Sequence, residues 1–437
     1  MAVQTSVHRL LEQEARALLT RLARVKPFAL HETMVPAAAP SVGVLEAVER
    51  YLVEGRGELR SRVHDYLAWL HGPGRNATPE QAHRRFVYLR LRFNVVLSHF
   101  DIFADVMTQR SEHETGAWMA GLDVVAADAL ELGGGYFEPP PVVCYLDRGH
   151  GAAIRRARTR LPGGGLNPVA IVRVPRERVV GTGIASSLVH EVGHQGAALL
   201  DLNNSLRAAL RERAAAATGD RVAWQTWERW ISEIVADLWS VARVGVGSTM
   251  GLIGVVSLPR AFVLRINADD PHPVPWIRVR VSSALGAALY PDPQWQRLFN
   301  TWKSYYPLTA DMAPAHREVI AALERTTPEL VRLILTHRPA ALKGDSILKA
   351  MRDPERLPDR LREKFRRWNG SFLRMRAARP SLVFAALGQA RADGVLTPER
   401  ESRLLADLLT YWALRRALDT TRQAAAPRRR LAAAATT

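Results

Sequence analysis

Apolar residues recur along most of this chain at the three-and-four spacing of helices, and two short runs change to the pattern of strands. Leu10, Leu11, Leu18, Leu19 and Leu22 predict one apolar stripe. Val44, Ala47, Val48, Tyr51 and Leu52 begin a second after a Pro/Ala-rich linker at 35–40. A third helix opens with Thr78 as cap, Pro79 in its first turn and Gln81 three residues after the cap, which predicts a capping box. It runs on through Phe86, Leu89, Leu91 and Val95. Gly133, Gly134 and Gly135 mark the next boundary. The runs Val142–Leu146 and Val169–Val174 then predict strands, flanking an Arg-rich segment expected to be helical that ends in Pro162-Gly163-Gly164-Gly165. Val169–Val174 is either an edge to which an extended peptide adds or an internal strand of a small sheet. After residue 290 the pattern returns to helix. Thr327-Pro328-Glu329 and Thr397-Pro398-Glu399 each predict a helix start. Ala392-Asp393-Gly394 predicts a joint between helices and lacks the spaced acidic ligands of a calcium loop.

Composition narrows the class. The chain has 437 residues, 47% apolar and 24% charged, which fits a soluble globular protein and excludes a disordered one for the bulk. A single cysteine, Cys144, excludes a disulfide framework and a cysteine-based zinc site; lying in an apolar run, it reads as a buried thiol. The net charge of +17 raises nucleic acid as a partner, but the basic residues are 55 Arg against 5 Lys. That skew reads as codon bias, the Arg are scattered along helices, and no base-reading motif appears, so no specific nucleic acid is expected. Met1–Val25 has no secretory pattern. The most apolar window, Val244–Val263, contains Gly245, Gly247, Gly251 and Gly254 and ends in Pro259-Arg260, so a buried helix with a turn is expected there, with no transmembrane anchor. The expected location is cytoplasmic.

The chemistry concentrates in the middle of the chain. In His190-Glu191-Val192-Gly193-His194, a helix over 183–202 would put the two His four apart on one face, able to converge on one metal. Glu191 sits beside that face, where a carboxylate can take a proton from metal-bound water. A catalytic zinc ion needs a third protein ligand. Trp227, Ile231, Ile234, Val235, Leu238 and Trp239 make a broad apolar surface at helical spacing, so a buried helix is expected around Glu233 and Asp237. A buried carboxylate needs a cation or a hydrogen-bond partner. Glu233 is the candidate ligand, and Asp237, four residues on, would accept the N–H of a ligating His. The alternative is an acidic face paired with Arg229 or Arg243. Downstream, three prolines in Pro271-His272-Pro273-Val274-Pro275 put His272 on a rigid loop. His272 and Arg278 are candidates to stabilise an oxyanion.

The ordered set His-Glu-x-x-His, Glu233-Ile234-Val235-Ala236-Asp237 and His272-Pro273 with Arg278 resembles the HtpX and CAAX prenyl protease family of gluzincins, over roughly residues 165–282. The resemblance implies His190, His194 and Glu233 as ligands of Zn2+, Glu191 as general base and Asp237 as their support. It places His272 and Arg278 near the substrate carbonyl. The expected fold is α+β and mainly helical. An N-terminal helical region at 1–135 precedes a zincin-like core at 136–290 with a small sheet and an active-site helix. A C-terminal helical region at 291–423 and a disordered tail at 424–437 follow. The expected activity is zinc-dependent hydrolysis of a peptide or protein substrate, with a protein partner for the helical flanks. The alternatives are a catalytically idle zinc-binding structural or assembly protein and an Arg-rich binding module.

Overall fold

The computed structural model describes residues 2–147, 152–161, 165–175, 181–267, 270–309 and 312–425. Helices dominate them and one small sheet accompanies them, the α+β, mainly helical class that the periodicity predicts. The chain divides into two compact units: residues up to Ala120 with 157–169 and Trp412 onward, and residues 121–156 with 170–411. The regions at 136–290 and 291–411 thus fall largely within one unit.

In the first unit, α1 (Ala2–Arg24), α2 (Val42–His71) and α3 (Pro79–Thr108) each pack against the other two. The buried stripe of α1 is Leu11, Ala15, Leu18 and Leu22, at alternating spacings of four and three; Leu10, one position off that face, is 61% exposed. Val44, Val48, Leu52, Leu59 and Val63 are the buried residues of α2 at the same kind of spacing. The capping box of α3 forms as expected, with Gln81 N donating to Thr78 Oγ1 at 3.2 Å and Thr78 N donating to Gln81 Oε1 at 3.0 Å. Its core face is Phe86, Leu89, Phe93, Val96, Phe100 and Phe103, whereas Leu91 lies on the solvent side. The helix α4 (His113–Leu130) follows, and from Gly121 its residues belong to the second unit.

The second unit contains β1 (Val142–Asp147), β2 (Ala153–Arg155) and β3 (Ala170–Pro175) in the order β1-β3-β2. β3 pairs parallel with β1, Val142 opposite Ala170, and antiparallel with β2, Ala153 opposite Arg173. Residues of β1 and β3 are buried on both faces, as the unbroken apolar runs require. Cys144 is buried in β1. Of the two readings of the run 169–174, the internal one holds: it forms the central strand. One expectation is corrected: the Arg-rich segment between the runs is not a helix and supplies the strand β2. Backbone groups of that segment are met by β3, which pairs antiparallel with Ala153–Arg155, and not by a helical turn of its own.

The helices of this unit are α5 (Thr182–Leu199), α6 (Leu202–Ala216), α7 (Arg221–Val244), α8 (Val246–Val256), α9 (Arg260–Val263), α10 (Pro275–Leu289), α11 (Gln294–Tyr305) and α12 (Pro314–Thr336). They continue as α13 (Ile347–Met351), α14 (Pro358–Trp368), α15 (Phe372–Met375) and α16 (Pro380–Ala392); α17 (Pro398–Ala425) belongs to this unit up to Tyr411 and to the first from Trp412. The hub is α7, which packs against α5, α6, α8, α10, α12 and α16. Its tryptophans are buried, and two of them use their polar edges: Trp227 Nε1 donates to Thr326 Oγ1 and Trp239 Nε1 to the Ala129 carbonyl, each at 2.9 Å, whereas Trp230 Nε1 is buried without a partner among the described residues. The apolar window at 244–263 breaks into α8 and α9, and among the described residues no helix is long and apolar enough to cross a membrane.

Pro398 opens α17 and Gly394, at φ 72°, turns the chain out of α16, as expected. Pro328 does not open a helix; it lies inside α12, which starts at Pro314. The hydroxyls before it bond backward, Thr327 Oγ1 to the Leu323 carbonyl and Thr326 Oγ1 to the Ala322 carbonyl, each at 2.8 Å. A cap would instead accept from N–H groups ahead of it. The expected tail at 424–437 lies outside the described residues except for its first two positions, which end α17.

Candidate metal centre

Three elements of the second unit bring the site together. The helix α5 carries His190, Glu191 and His194; α7 carries Glu233 and Asp237; the loop before α10 and its first turn carry His272 and Arg278. The glycines of α5 set the spacing. A Cβ added at Gly193 would lie 2.8 Å from Trp239 Cβ and 3.0 Å from Ala236 Cα; one at Gly196 would lie 2.3 Å from the Trp239 ring. Only glycine at these positions lets α7 approach close enough for its carboxylates to meet the histidines.

His190 and His194 stand one turn apart, their ring centroids 4.9 Å apart and their planes at 85°. His190 Nε2 is 3.2 Å from Glu233 Oε2, and His194 Nε2 is 3.4 Å from Glu233 Oε1. Donor atoms bound tetrahedrally to one zinc ion stand about 3.3 Å apart, given bond lengths of about 2.0–2.1 Å. Each spacing is near that value, His190 to one Glu233 oxygen and His194 to the other. One atom from each of the three residues falls within 4.8 Å of the others, so the group can hold a metal ion. A second observation agrees. Glu233 Oε2 is buried without an aligned hydrogen-bond donor, although His190 Nε2 is 3.2 Å away, Arg278 Nη2 3.5 Å and His272 Nε2 3.7 Å. A cation among these atoms would satisfy that oxygen.

Asp237 orients the site from behind. Its Oδ1 is 2.8 Å from His190 Nδ1, which fixes a proton on that nitrogen and leaves Nε2, facing Glu233, as the nitrogen that would give up its proton to bind a metal. Arg278 holds the carboxylate in a bidentate grip, Nε donating to Oδ2 at 2.7 Å and Nη2 to Oδ1 at 2.9 Å. Among the described residues, Glu233 and Asp237 have their ion pairs with His190, His194, His272 and Arg278, not with Arg229 or Arg243.

These contacts decide the charges. Burial raises the Asp237 and Glu233 pKa values, but Arg278 and His190 outweigh it. Asp237 is held far below the usual carboxylate range and Glu233 at about 2. Burial lowers His190, but Asp237 and Glu233 raise it to about 9. His194 is held at about 4, first by burial and then by the charge on His190. Burial also raises Glu191, and the Glu233 charge adds to that while His190 opposes it.

Glu191, His272 and Arg278 line the same cavity as the three candidate ligands, a space of about 970 Å³. His272 is on a loop as expected, about half exposed, with Pro275 opening α10 just after it. Its orientation comes from Asp270, which sequence reasoning missed: Asp270 Oδ1 accepts from the His272 backbone N at 2.9 Å and lies 2.8 Å from its Nδ1. The spacing Asp-x-His, with an Asp able to close a turn on the N–H two residues on, is a signal that could have found it. Arg278 reaches the site mainly by bracing Asp237. Also missed were β2 and the α6 residues Asn203 and Arg207, which line the cavity.

No family model, no curated protein and no solved structure matches the chain in comparison with known proteins.

Proposed function

We propose that the protein is a zinc-dependent peptidase. What carries the reading is the convergence of His190, His194 and Glu233 at tetrahedral spacing on a large cavity with Glu191 at its wall. Two imidazoles and a carboxylate are a donor set zinc accepts, with a position left over for water. Zinc held there supplies a Lewis acid and lowers the pKa of water toward neutrality.

The chain's own residues do the rest. Glu191, its carboxylate made more basic by burial, accepts the proton of the attacking water and returns it to the leaving amine. Asp237 keeps the His190 proton on Nδ1 so that Nε2 stays a donor atom. His272, its Nδ1 tied to Asp270, carries Nε2 toward the site, where the ring in its doubly protonated form donates to the carbonyl oxygen as charge develops. A purely structural zinc site closes all four positions with protein ligands. The open cavity and Glu191 favour the peptidase over the idle scaffold.

The test is Glu191→Gln, which keeps the side-chain volume and removes the base. The variant should hold zinc as wild type does and lose peptide cleavage by at least about 100-fold, the lower end for general acid–base catalysis. Equal cleavage by both forms would remove Glu191 from this role. Absence of cleavage by wild type, across a broad peptide library and the protein's own flanking segments, would support the scaffold.

A further inference from the structure

A hydrolase's cavity has to recognise its substrate, and the side chains of α6 that line this one suggest what. Asn203 and Arg207 lie four apart on α6, and both line the cavity while Leu202, Leu206 and Leu210 bury the helix's other face. Asn203 Nδ2 donates to Ser232 Oγ at 3.2 Å, next to Glu233 in sequence, and this leaves Asn203 Oδ1 buried with no hydrogen-bond partner. A buried carbonyl oxygen without a donor costs stability that a ligand N–H would recover. Arg207 is half-buried, and among the described residues no carboxylate lies within 4.0 Å of it. The other charges at the cavity are accounted for differently. Glu191, Glu233 and Asp237 belong to the metal centre, Arg278 is committed to Asp237, and Asp201 accepts from Asn204 at 2.6 Å.

We propose that this subsite selects a substrate carboxylate. Arg207 takes the carboxylate, from an Asp or Glu side chain or from the free C-terminus of a peptide, while an adjacent backbone N–H donates to Asn203 Oδ1. The inference rests on the peptidase reading for the kind of ligand and adds its specificity. A guanidinium in a half-buried wall favours carboxylate because its planar fork matches two oxygens and it stays charged at all working pH values.

The test measures binding apart from turnover. Full-length protein carrying Glu191→Gln, loaded with zinc, is titrated against fluorescein-labelled octapeptides of one uncharged sequence and read by anisotropy. The peptides end in a free carboxylate or an amide, and each carries Asn or Asp in turn at every internal position. At least one carboxylate-bearing peptide should bind about 10-fold or more tighter than its uncharged counterpart, the scale of a charged hydrogen bond. Whether the free-acid arm or an Asp arm shows the gain identifies the source. Arg207→Gln in the same background should abolish the preference with zinc content and thermal unfolding unchanged, and Arg207→Lys should retain part of it. Equal binding of all peptides, no binding, or a preference that persists in Arg207→Gln would overturn the proposal. Cleavage by wild type is read on the same peptides. Cleavage without a carboxylate preference in binding removes this subsite and leaves the peptidase; a preference lost in Arg207→Gln without any cleavage supports the subsite and removes the peptidase.

Discussion

Asp237 Oδ1 lies 2.8 Å from His190 Nδ1, so a carboxylate that touches no substrate decides which nitrogen of a candidate ligand faces the site. The two carboxylates of α7 thereby have different tasks, although they are four residues apart and share a buried face. Glu233 offers its oxygens to the metal position; Asp237 offers its own to His190 and Arg278.

That division predicts unequal mutants. Asp237→Asn should weaken zinc affinity by roughly 10–100-fold while binding persists. Glu233→Ala removes a ligand and should cost more than that. Competition titration with a chelator measures both, and equal losses would contradict the assignment.

Arg278 neutralises Asp237 inside the protein, where both side chains are nearly covered. Removing one partner of a buried pair so that the other charge is left alone costs about 3–5 kcal/mol, but His190, 2.8 Å from Asp237 and with its pKa raised to about 9, still faces it in metal-free protein. Arg278→Ala should therefore lower unfolding stability by less, about 1–3 kcal/mol, measured by denaturant titration. A loss below about 1 kcal/mol would mean that Asp237 is stabilised by something else.

The glycines of α5 give a third expectation. Gly196→Ala would drive a methyl into the Trp239 ring, and such overpacking typically costs about 1–3 kcal/mol. It should also weaken zinc binding by pushing α7 away from the histidines. Gly254→Ala in α8 meets nothing within 4 Å and should be neutral or stabilising by about 0.5–1 kcal/mol, through helix propensity. Thermal unfolding of the two variants side by side decides it; equal effects would remove the close approach as the reason for these glycines.

What could be read in the sequence was what local spacing encodes. His190 and His194 share a face because they are four apart, and the apolar surround of Glu233 and Asp237 marks their helix as buried. The capping box at Thr78 and Gln81 is equally local. What failed depended on partners far along the chain. Whether 169–174 is an edge or a centre turns on β2, whose pairing with β3 no residue of either announces. Pro328 looks like a helix start because a proline in a first turn and one inside a long helix have the same local sequence; the surrounding packing of α12 decides between them. The commitment of Arg278 to Asp237 spans 41 positions, and the placing of Asn203 and Arg207 at the cavity depends on how α6 packs against α7.

The existence of the metal centre is tested most directly by elemental analysis of the purified full-length protein. Wild type should contain close to one zinc per chain, and His194→Ala, lacking one of the three ligands, should contain far less after the same purification. Wild-type protein without metal that takes up no zinc on reconstitution would contradict the assignment of His190, His194 and Glu233, and with it the hydrolytic chemistry built on them.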